Sequence, residues 1–447
     1  MANTIAAQAS PEKRLFISLL TRDIPLIAAF LDMLDNSINA AVETYAARLE
    51  TAKDYMTVFQ DETLCPSVDI RLNITAEKVE ITDSASGISA ETAAHHVFKF
   101  GRGANETHAS DRLSVYGIGL KRAMFKLGNE IVMRSDHKDG GFDLNLNVSE
   151  WAKETRQPWT FTISPRKPAK PEKCGTSIIV TDLYDEVMRR VADGVFEGQL
   201  REVIAKTYAY YLAKFVNIFV NDRLVVGTNL QIGSNHASEA LIYDDVTCAI
   251  TAGIGLPEGG QFRDKSSGWF VFCNGRAVIS ADKTPLTGWG GGGAGLPIFQ
   301  PKHRPFLGTV FFVSKNAEHL PWTTTKSGIN EDSALWQSTK RQMIAVGRIV
   351  VTFLDGRYTD EGTEVPSKDI QEATGDGVSV LSASVSQKRS FVTPKAATAS
   401  STTKIQYEAK VEDVKRIANY LKRSSMSGSD VGRHTFNHFL RNEVGEK

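Results

Sequence analysis

DMLDNSINA at residues 32–40 lies within a segment that has the pattern of a long helix. From Pro25 to about Leu49, proline suits the first turn and apolar residues return with a 3.6-residue period. Asp32 and Asn36 are four residues apart, so both project from the same helical face. The amide oxygen of Asn36 suits magnesium, and a carboxylate one turn away could orient or deprotonate a water. Alone, such a pair is also typical of a solvated helix face.

Two predicted strands lead into a second motif. VDIRLNI (68–74) alternates apolar and polar residues, and KVEITDS (78–84) runs into ITDSASGIS (81–89). A carboxylate at a strand end, here Asp83, can accept a hydrogen bond from an adenine amino group, and Gly87 lets backbone approach a base closely. An ordinary β-turn has the same residues, so this motif is also weak by itself.

The third and fourth motifs combine glycines with the start of a helix or a strand. In SVYGIGLKRAMFKLG (114–128) two glycines precede a helix whose first turn carries Lys121, and free amides with a lysine favour an anion. CGTSIIVTDL (174–183) begins a strand with Gly175 and Thr176, and this threonine could hydrogen-bond to a base held by Asp83. A polar loop, predicted to be mobile, covers residues 100–113.

In this order and spacing the four motifs resemble the GHKL superfamily. It includes gyrase B-type topoisomerases, MutL, MORC proteins, heat-shock chaperones and histidine kinases, which share E-x-x-x-N-x-x-D-A, D-x-G-x-G, G-x-x-G-x-G and G-T. The resemblance covers about residues 20–185 and implies a Bergerat-fold α/β sandwich that binds ATP with Mg²⁺. GLK at 119–121 and FGRG at 100–103 are most similar to MORC proteins.

The resemblance also implies roles for individual residues. It implies that Asp32 is catalytic, that Asn36 is the magnesium ligand, and that Lys326 in PWTTTKSGIN (321–330) reports an intact terminal phosphate. The nucleotide-binding residues that it implies are Asn36, Asp83, Gly87, Ile88, Tyr116, Gly117, Ile118, Gly119, Leu120, Lys121 and Thr176.

Four positions depart from the superfamily pattern. Asp32 stands where the superfamily has glutamate and is one methylene shorter, and Asn39 replaces the aspartate of the same motif. Ala85 and Ser114 replace glycines, and both are small. We therefore expect ATP to bind and hydrolysis to be slow.

The whole chain is predicted to be an α+β protein with several parts. Two segments resemble parts of the S5-like α/β transducer domain of MutL, MORC proteins and topoisomerases: VFCNGRAVIS (271–280) and PWTTTKSGIN (321–330). We assign to the same domain the predicted strands NIFVND and LVVGT. The predicted parts are an N-terminal arm (1–20), the ATPase domain (21–200), the transducer domain (201–358), a disordered linker (359–405) and a short helical C-terminal segment (406–447).

Composition limits the partners and the compartment. The 52 Lys and Arg balance 52 Asp and Glu, so no net charge attracts nucleic acid or a membrane. The four cysteines form no CxxC pair, which argues against a zinc site or a disulfide framework. The N-terminus lacks the pattern of a secretory signal and no apolar run is long enough to span a membrane, so we expect a cytoplasmic protein.

The resemblance implies that ATP closes the lid, about residues 99–116, and drives homodimerisation, with the arm crossing to the second subunit. The first functional hypothesis is a clamp on DNA, or one that works with a DNA-acting effector protein. Twelve Lys and Arg against six Asp and Glu from residue 387 onward support it. The alternatives are a protein-remodelling chaperone of the heat-shock type and a nucleotide-sensing scaffold with little hydrolysis.

Overall fold

The chain divides into two compact units, Met1–Pro394 and Lys395–Lys447. The computed structural model describes residues 12–43, 45, 63–100, 113, 117–155, 158–357, 368–380, 388–393, 405 and 408–445. The first unit contains two sheets and the second contains helices, so the predicted α+β class is confirmed. Within the described ranges, no helix has both the length and the apolarity that a membrane span requires.

The first sheet has eight strands in the order β5-β4-β3-β6-β2-β1-β7-β8. Every neighbouring pair in it is antiparallel except β1 and β7, which are parallel. The strands are β1 (Val68–Ile74), β2 (Lys78–Asp83), β3 (Gly128–Asp136), β4 (Phe142–Asn147), β5 (Ile163–Pro165), β6 (Gly175–Leu183), β7 (Val216–Val220) and β8 (Arg223–Leu224).

Helix α2 (Leu26–Glu43) is central to this part of the molecule because it packs against both helix α4 (Gly119–Leu127) and the β1–β2 pair. Its apolar residues Phe30, Leu34 and Ile38 are fully buried. The helices are α1 (Lys13–Thr21), α2 (Leu26–Glu43), α3 (Ala90–Thr92, continued by a wider turn over Ala93–Val97), α4 (Gly119–Leu127), α5 (Val148–Lys153), α6 (Asp185–Val191), α7 (Phe196–Thr207) and α8 (Ala209–Lys214).

Strand β7, which contains most of NIFVND, lies in the first sheet and not in the second as predicted. It pairs with β1 in parallel, with Val68 opposite Val216. The apolar alternation of a strand indicates which face is buried but not which strand is its neighbour. Strands β7 and β8, which the prediction gave to the transducer domain, therefore belong to the first sheet.

The second sheet has six strands in the order β12-β11-β13-β10-β9-β14. Helix α9 packs on β9, β10 and β13, and α10 packs on β9 and β10. The elements are β9 (Gln231–Tyr243), β10 (Val246–Gly255), β11 (Gly268–Cys273), β12 (Arg276–Asp282), β13 (Phe306–Val313), α9 (Ala334–Arg357), α10 (Lys368–Thr374) and β14 (Gly377–Ser379).

Within the expected linker (359–405), the described residues 368–380 and 388–393 differ from the prediction because they pack against the second sheet. Strand β14 pairs with β9, Arg389 bridges to Ser238, and Ile370 and Phe391 are buried. Isolated apolar residues in a polar sequence have no helical or strand period, so composition predicted disorder where tertiary packing orders the chain.

The expected polar arm over residues 1–20 also differs, since residues 13–21 form α1 on their own domain. Lys13 is buried and donates to the Trp151 carbonyl at 3.1 Å, and the Phe16 ring packs edge-on against Phe100 at 5.0 Å. Residues 1–11 lie outside the described part.

The second unit is a pair of helices, α11 (Val411–Tyr420) and α12 (Gly428–Phe439), with a wider turn over Leu440–Val444. Their buried apolar residues are Ala418 and Val431. Helix α12 begins at Gly428, where the Ser427 hydroxyl caps it by accepting a hydrogen bond from the Asp430 amide at 3.2 Å.

Candidate active site

Helix α2 presents Asp32 and Asn36 one turn apart, beside the start of α4. The Asn36 amide nitrogen donates to the Asp32 carbonyl at 2.6 Å, which fixes the orientation of the amide. A Cβ added at Gly119 would lie 3.4 Å from Oδ1 of Asp32. The acidic residue of the first motif is therefore next to the glycine motif, 87 positions further along the chain.

Asp32 is part of a buried ion pair that the sequence did not indicate. Arg122 Nε donates to Asp32 Oδ2 at 2.5 Å, and the two side chains are only 6% and 3% exposed. Residues 119 and 122 are three apart on α4, so one face of that helix supplies both the glycine and the guanidinium. This spacing places Arg122 on the same helix face as Gly119 but does not indicate Asp32 as its partner.

Asp83 forms the second polar centre, at the end of β2. Its Oδ2 accepts from the Ser37 hydroxyl at 3.0 Å, and its Oδ1 accepts from the amides of Ala85 and Thr176 at 3.1 and 3.3 Å. Burial raises the pKa of Asp83 to about 6, and these hydrogen bonds offset part of that rise. Ser37 follows Asn36 on α2, so one helix contacts both polar centres.

Gly87 and Gly175 are required by chain packing at this centre. Gly87 has φ +70° and its added Cβ would lie 2.0 Å from the Asp136 carbonyl, whereas a Cβ at Gly175 would lie 2.2 Å from the Asp83 carbonyl. The presence of glycine at position 87, expected to allow a base to approach closely, is therefore also explained by the packing of the chain itself. The amide of Ile88 donates to Ser135 Oγ at 2.7 Å, and that hydroxyl is 3.1 Å from the Thr176 hydroxyl.

The third motif provides the N-terminus of α4. Gly117 adopts φ +63°, a conformation that favours glycine, and the chain enters the helix through Ile118 and Gly119, with Leu120 buried. The unpaired amides of a helix N-terminus attract anions. Tyr116 and most of the expected lid lie outside the described residues.

Asn39 binds Leu113, which is the one residue of the segment 101–116 that the structure describes. Its Oδ1 accepts from the amide of Leu113 at 3.0 Å, and the Leu113 side chain is fully buried. The asparagine that replaces the motif aspartate therefore anchors the chain just ahead of the glycine motif.

Lys121 does not point out of the first turn of α4 as an exposed lysine would. Its ammonium donates to the Val97 carbonyl at 2.6 Å and lies 5.4 Å from the centre of the Phe100 ring. Burial lowers its pKa to about 7. The structure thus brings Lys121 to the start of the expected lid segment.

Lys326 lies in the segment between β13 and α9, and its ammonium binds Asp35 on α2. Its ammonium is 2.7 Å from Asp35 Oδ2, while Oδ1 accepts from Tyr208 at 2.6 Å and from Arg276 Nε at 3.1 Å. Burial acts to raise the pKa of Asp35, but Arg276 and Lys326 outweigh it and the pKa is lowered. The sequence did not indicate a role for Asp35 or Tyr208, although Arg276 lies in the quoted segment VFCNGRAVIS (271–280).

The donor set of α2 fits magnesium in its usual mode. Mg²⁺ takes one or two protein oxygens and completes its shell with phosphates and waters. The Asn36 side-chain oxygen is available for this role, because the amide nitrogen of Asn36 donates to the Asp32 carbonyl. In the described part of the chain no three His, Cys, Asp or Glu side chains cluster as a metal site.

The raised pKa of Asp83 predicts that ATP affinity depends on pH. An ionised carboxylate accepts a stronger hydrogen bond from the adenine amino group than a protonated one, so affinity rises as the pH passes through about 6 and then levels off. We expect ATP binding to be several-fold weaker at pH 5 than at pH 7.5, with about tenfold as the upper limit. Titrations with a fluorescent ATP analogue measure it, with inosine triphosphate, which lacks the amino group, as the control. An equal pH dependence for both nucleotides would contradict this role.

The comparisons with known proteins agree with this geometry. Residues 25–176 match the family model described as "Histidine kinase-, DNA gyrase B-, and HSP90-like ATPase". The match begins at the start of α2 and ends at Thr176, so it includes both polar centres and the glycine motif. A comparison with curated proteins returns no match.

Proposed function

We propose, from the premise that residues 25–176 are an ATPase domain of the GHKL type, that this chain binds ATP with Mg²⁺ and hydrolyses it slowly. ATP binding closes the lid and drives homodimerisation, and the dimer acts as a clamp on DNA or with a DNA-acting partner. The observation that carries this proposal is the meeting of Asp32 on α2 with Gly119 at the start of α4. Those elements belong to different motifs.

Each polar centre has one task in this account. Asp83 and Thr176 hold the adenine, while the amides around Gly117 and Gly119 hold phosphate oxygens at the helix N-terminus. Asn36 would hold Mg²⁺, which when bound would neutralise charge on the phosphates. Asp32 accepts the proton of the water whose oxygen bonds to the terminal phosphorus, as the bond to the ADP oxygen breaks.

Two contacts of α2 couple this site to the rest of the unit. Asn39 holds Leu113 ahead of the glycine motif, and Asp35 holds Lys326 and Arg276 of the second sheet region. Asp35 carries one negative charge against two positive charges, so the buried cluster keeps an excess positive charge beside the helix that binds ATP. A terminal phosphate is the anion that this charge favours.

The DNA-contacting surface in this proposal is the turn between α11 and α12. Four basic or titratable side chains, Lys422, Arg423, Arg433 and His434, line one depression there, and Ser424 and Ser425 add hydroxyls. By contrast, a second basic segment, KHR at 302–304, is less suited to phosphates because Lys302 pairs with Asp355 and Arg304 pairs with Asp264. Phosphate contacts of this kind give sequence-independent, salt-dependent binding.

Reversing three of these charges is expected to weaken DNA binding. In the triple variant K422E/R423E/R433E the slope of log affinity against log salt should become shallower by about 2–3, because three phosphate contacts are lost. Fluorescence anisotropy with duplex DNA and a non-hydrolysable ATP analogue measures it. K167E/K170E/K173E, with the same change in charge, is the control. Equal slopes for the wild type and both variants would exclude this surface.

A nucleotide-sensing scaffold is the second candidate function. The buried Asp32–Arg122 pair favours it, because the guanidinium already occupies one of the two carboxylate oxygens and leaves only the other to activate a water. ATP binding without phosphate release would establish the scaffold and exclude the slow ATPase.

A further inference from the structure

We propose that Arg122 is a positioning residue for Asp32, the candidate catalytic base. It holds Oδ2 so that Oδ1 faces the start of α4, where the terminal phosphate and its attacking water would lie. This inference rests on the proposed ATPase function. Arg122 is not among the catalytic and nucleotide-binding residues that the family resemblance implies.

The geometry divides the two oxygens of Asp32 between two tasks. Oδ2 is bound by Arg122 Nε at 2.5 Å. No described residue donates a hydrogen bond to Oδ1, which faces the Gly119 backbone. A carboxylate whose second oxygen stays free and directed at an anion-binding helix terminus can accept a proton there.

The need for such a residue follows from the length of the side chain. Aspartate reaches one methylene less far than glutamate, so fewer of its rotamers bring an oxygen to the α4 N-terminus. Arg122 selects one of them, and it is itself held because its side chain is 6% exposed. Fixing a catalytic group within a fraction of an ångström is worth orders of magnitude in rate.

The other described charged side chains near Asp32 and Arg122 bind partners outside this pair. Lys121 is directed to the Val97 carbonyl, and Asp35 is directed to Lys326 and Arg276. Arg122 is therefore the described cation that is paired with Asp32. Its positive charge also offsets the repulsion between the Asp32 carboxylate and the phosphates of bound ATP, so the two anionic groups can lie close together in a buried site.

In the step that this pair serves, the water oxygen forms a bond to the terminal phosphorus and the bond to the bridging ADP oxygen breaks. The water proton moves to Asp32 Oδ1 and is then released to phosphate or solvent. Arg122 transfers no proton and touches no reacting atom.

Replacing Arg122 with methionine tests the inference through the split between turnover and binding. In R122M we expect kcat to fall at least about tenfold while the Kd for ATP changes less than about threefold, because ATP contacts other residues. R122K, which keeps the charge, should recover part of the rate. K126M is the matched control on the same helix, since Lys126 pairs with exposed Glu186 at 2.8 Å, and it should leave both constants unchanged.

Single-turnover phosphate release and nucleotide titration give the two constants. Wild-type or faster turnover in R122M would overturn the proposal while leaving the ATPase function intact. If R122M fails to bind ATP, R122K decides: a lower kcat with unchanged Kd supports positioning, and equal loss of both overturns it. A wild type that binds ATP without releasing phosphate would refute the ATPase function, and this inference with it.

Discussion

Replacing Asp35 with alanine is expected to lower the free energy of unfolding by about 3–5 kcal/mol, the usual cost of breaking a buried ion pair. The Asp35 side chain is 1% exposed and binds Lys326, Arg276 and Tyr208. Alanine would leave two buried cations without a counter-ion, and the Tyr208 hydroxyl would lose an acceptor. The cluster joins α2 to the second sheet region, so the loss also loosens the contact between the two sheets.

Lys326→Met is the matched comparison for Asp35→Ala. It leaves Asp35 with Arg276 as a neutral pair, so we expect less than half of the loss caused by D35A. Urea unfolding followed by tryptophan fluorescence suits this test because Trp269, Trp289 and Trp336 are fully buried. Equal costs for the two variants, or a cost below about 1 kcal/mol for D35A, would contradict the charge balance.

Local pattern was sufficient to predict the elements that form the walls of the site. The 3.6-residue period located α2, and the alternation of VDIRLNI gave β1 with its observed bounds, Val68–Ile74. These elements were predictable because their burial follows from neighbours in sequence. The strand partner of β7 was not, since it depends on residues about 150 positions away.

The sequence indicated the motifs of the candidate site but not its ion pairs. Arg122 and Asp35 each lie next to or within a quoted motif, yet nothing in the sequence indicates that one guanidinium meets Asp32 and another meets Asp35. Such pairs are fixed by the packing of α2 against α4 and the second sheet region. Lys121 illustrates the same limit, because a glycine-lysine pattern does not reveal that the ammonium binds Val97.

Asp32→Asn is expected to reduce turnover by at least about 100-fold, the usual contribution of a general base. Asparagine keeps the shape of the side chain and can still accept from Arg122, but it cannot take a proton from water. ATP binding should remain, and could strengthen, because a negative charge beside the phosphates is removed. This variant therefore separates loss of chemistry from loss of the site.

Steady-state phosphate release with Mg²⁺, for the wild type and Asp32→Asn and with and without duplex DNA, tests the central claim most directly. The account predicts slow release by the wild type, faster release with DNA, and almost none by the variant, while both bind ATP. Equal rates for the two proteins would contradict the role of Asp32, and ATP binding without release by the wild type would contradict the ATPase itself.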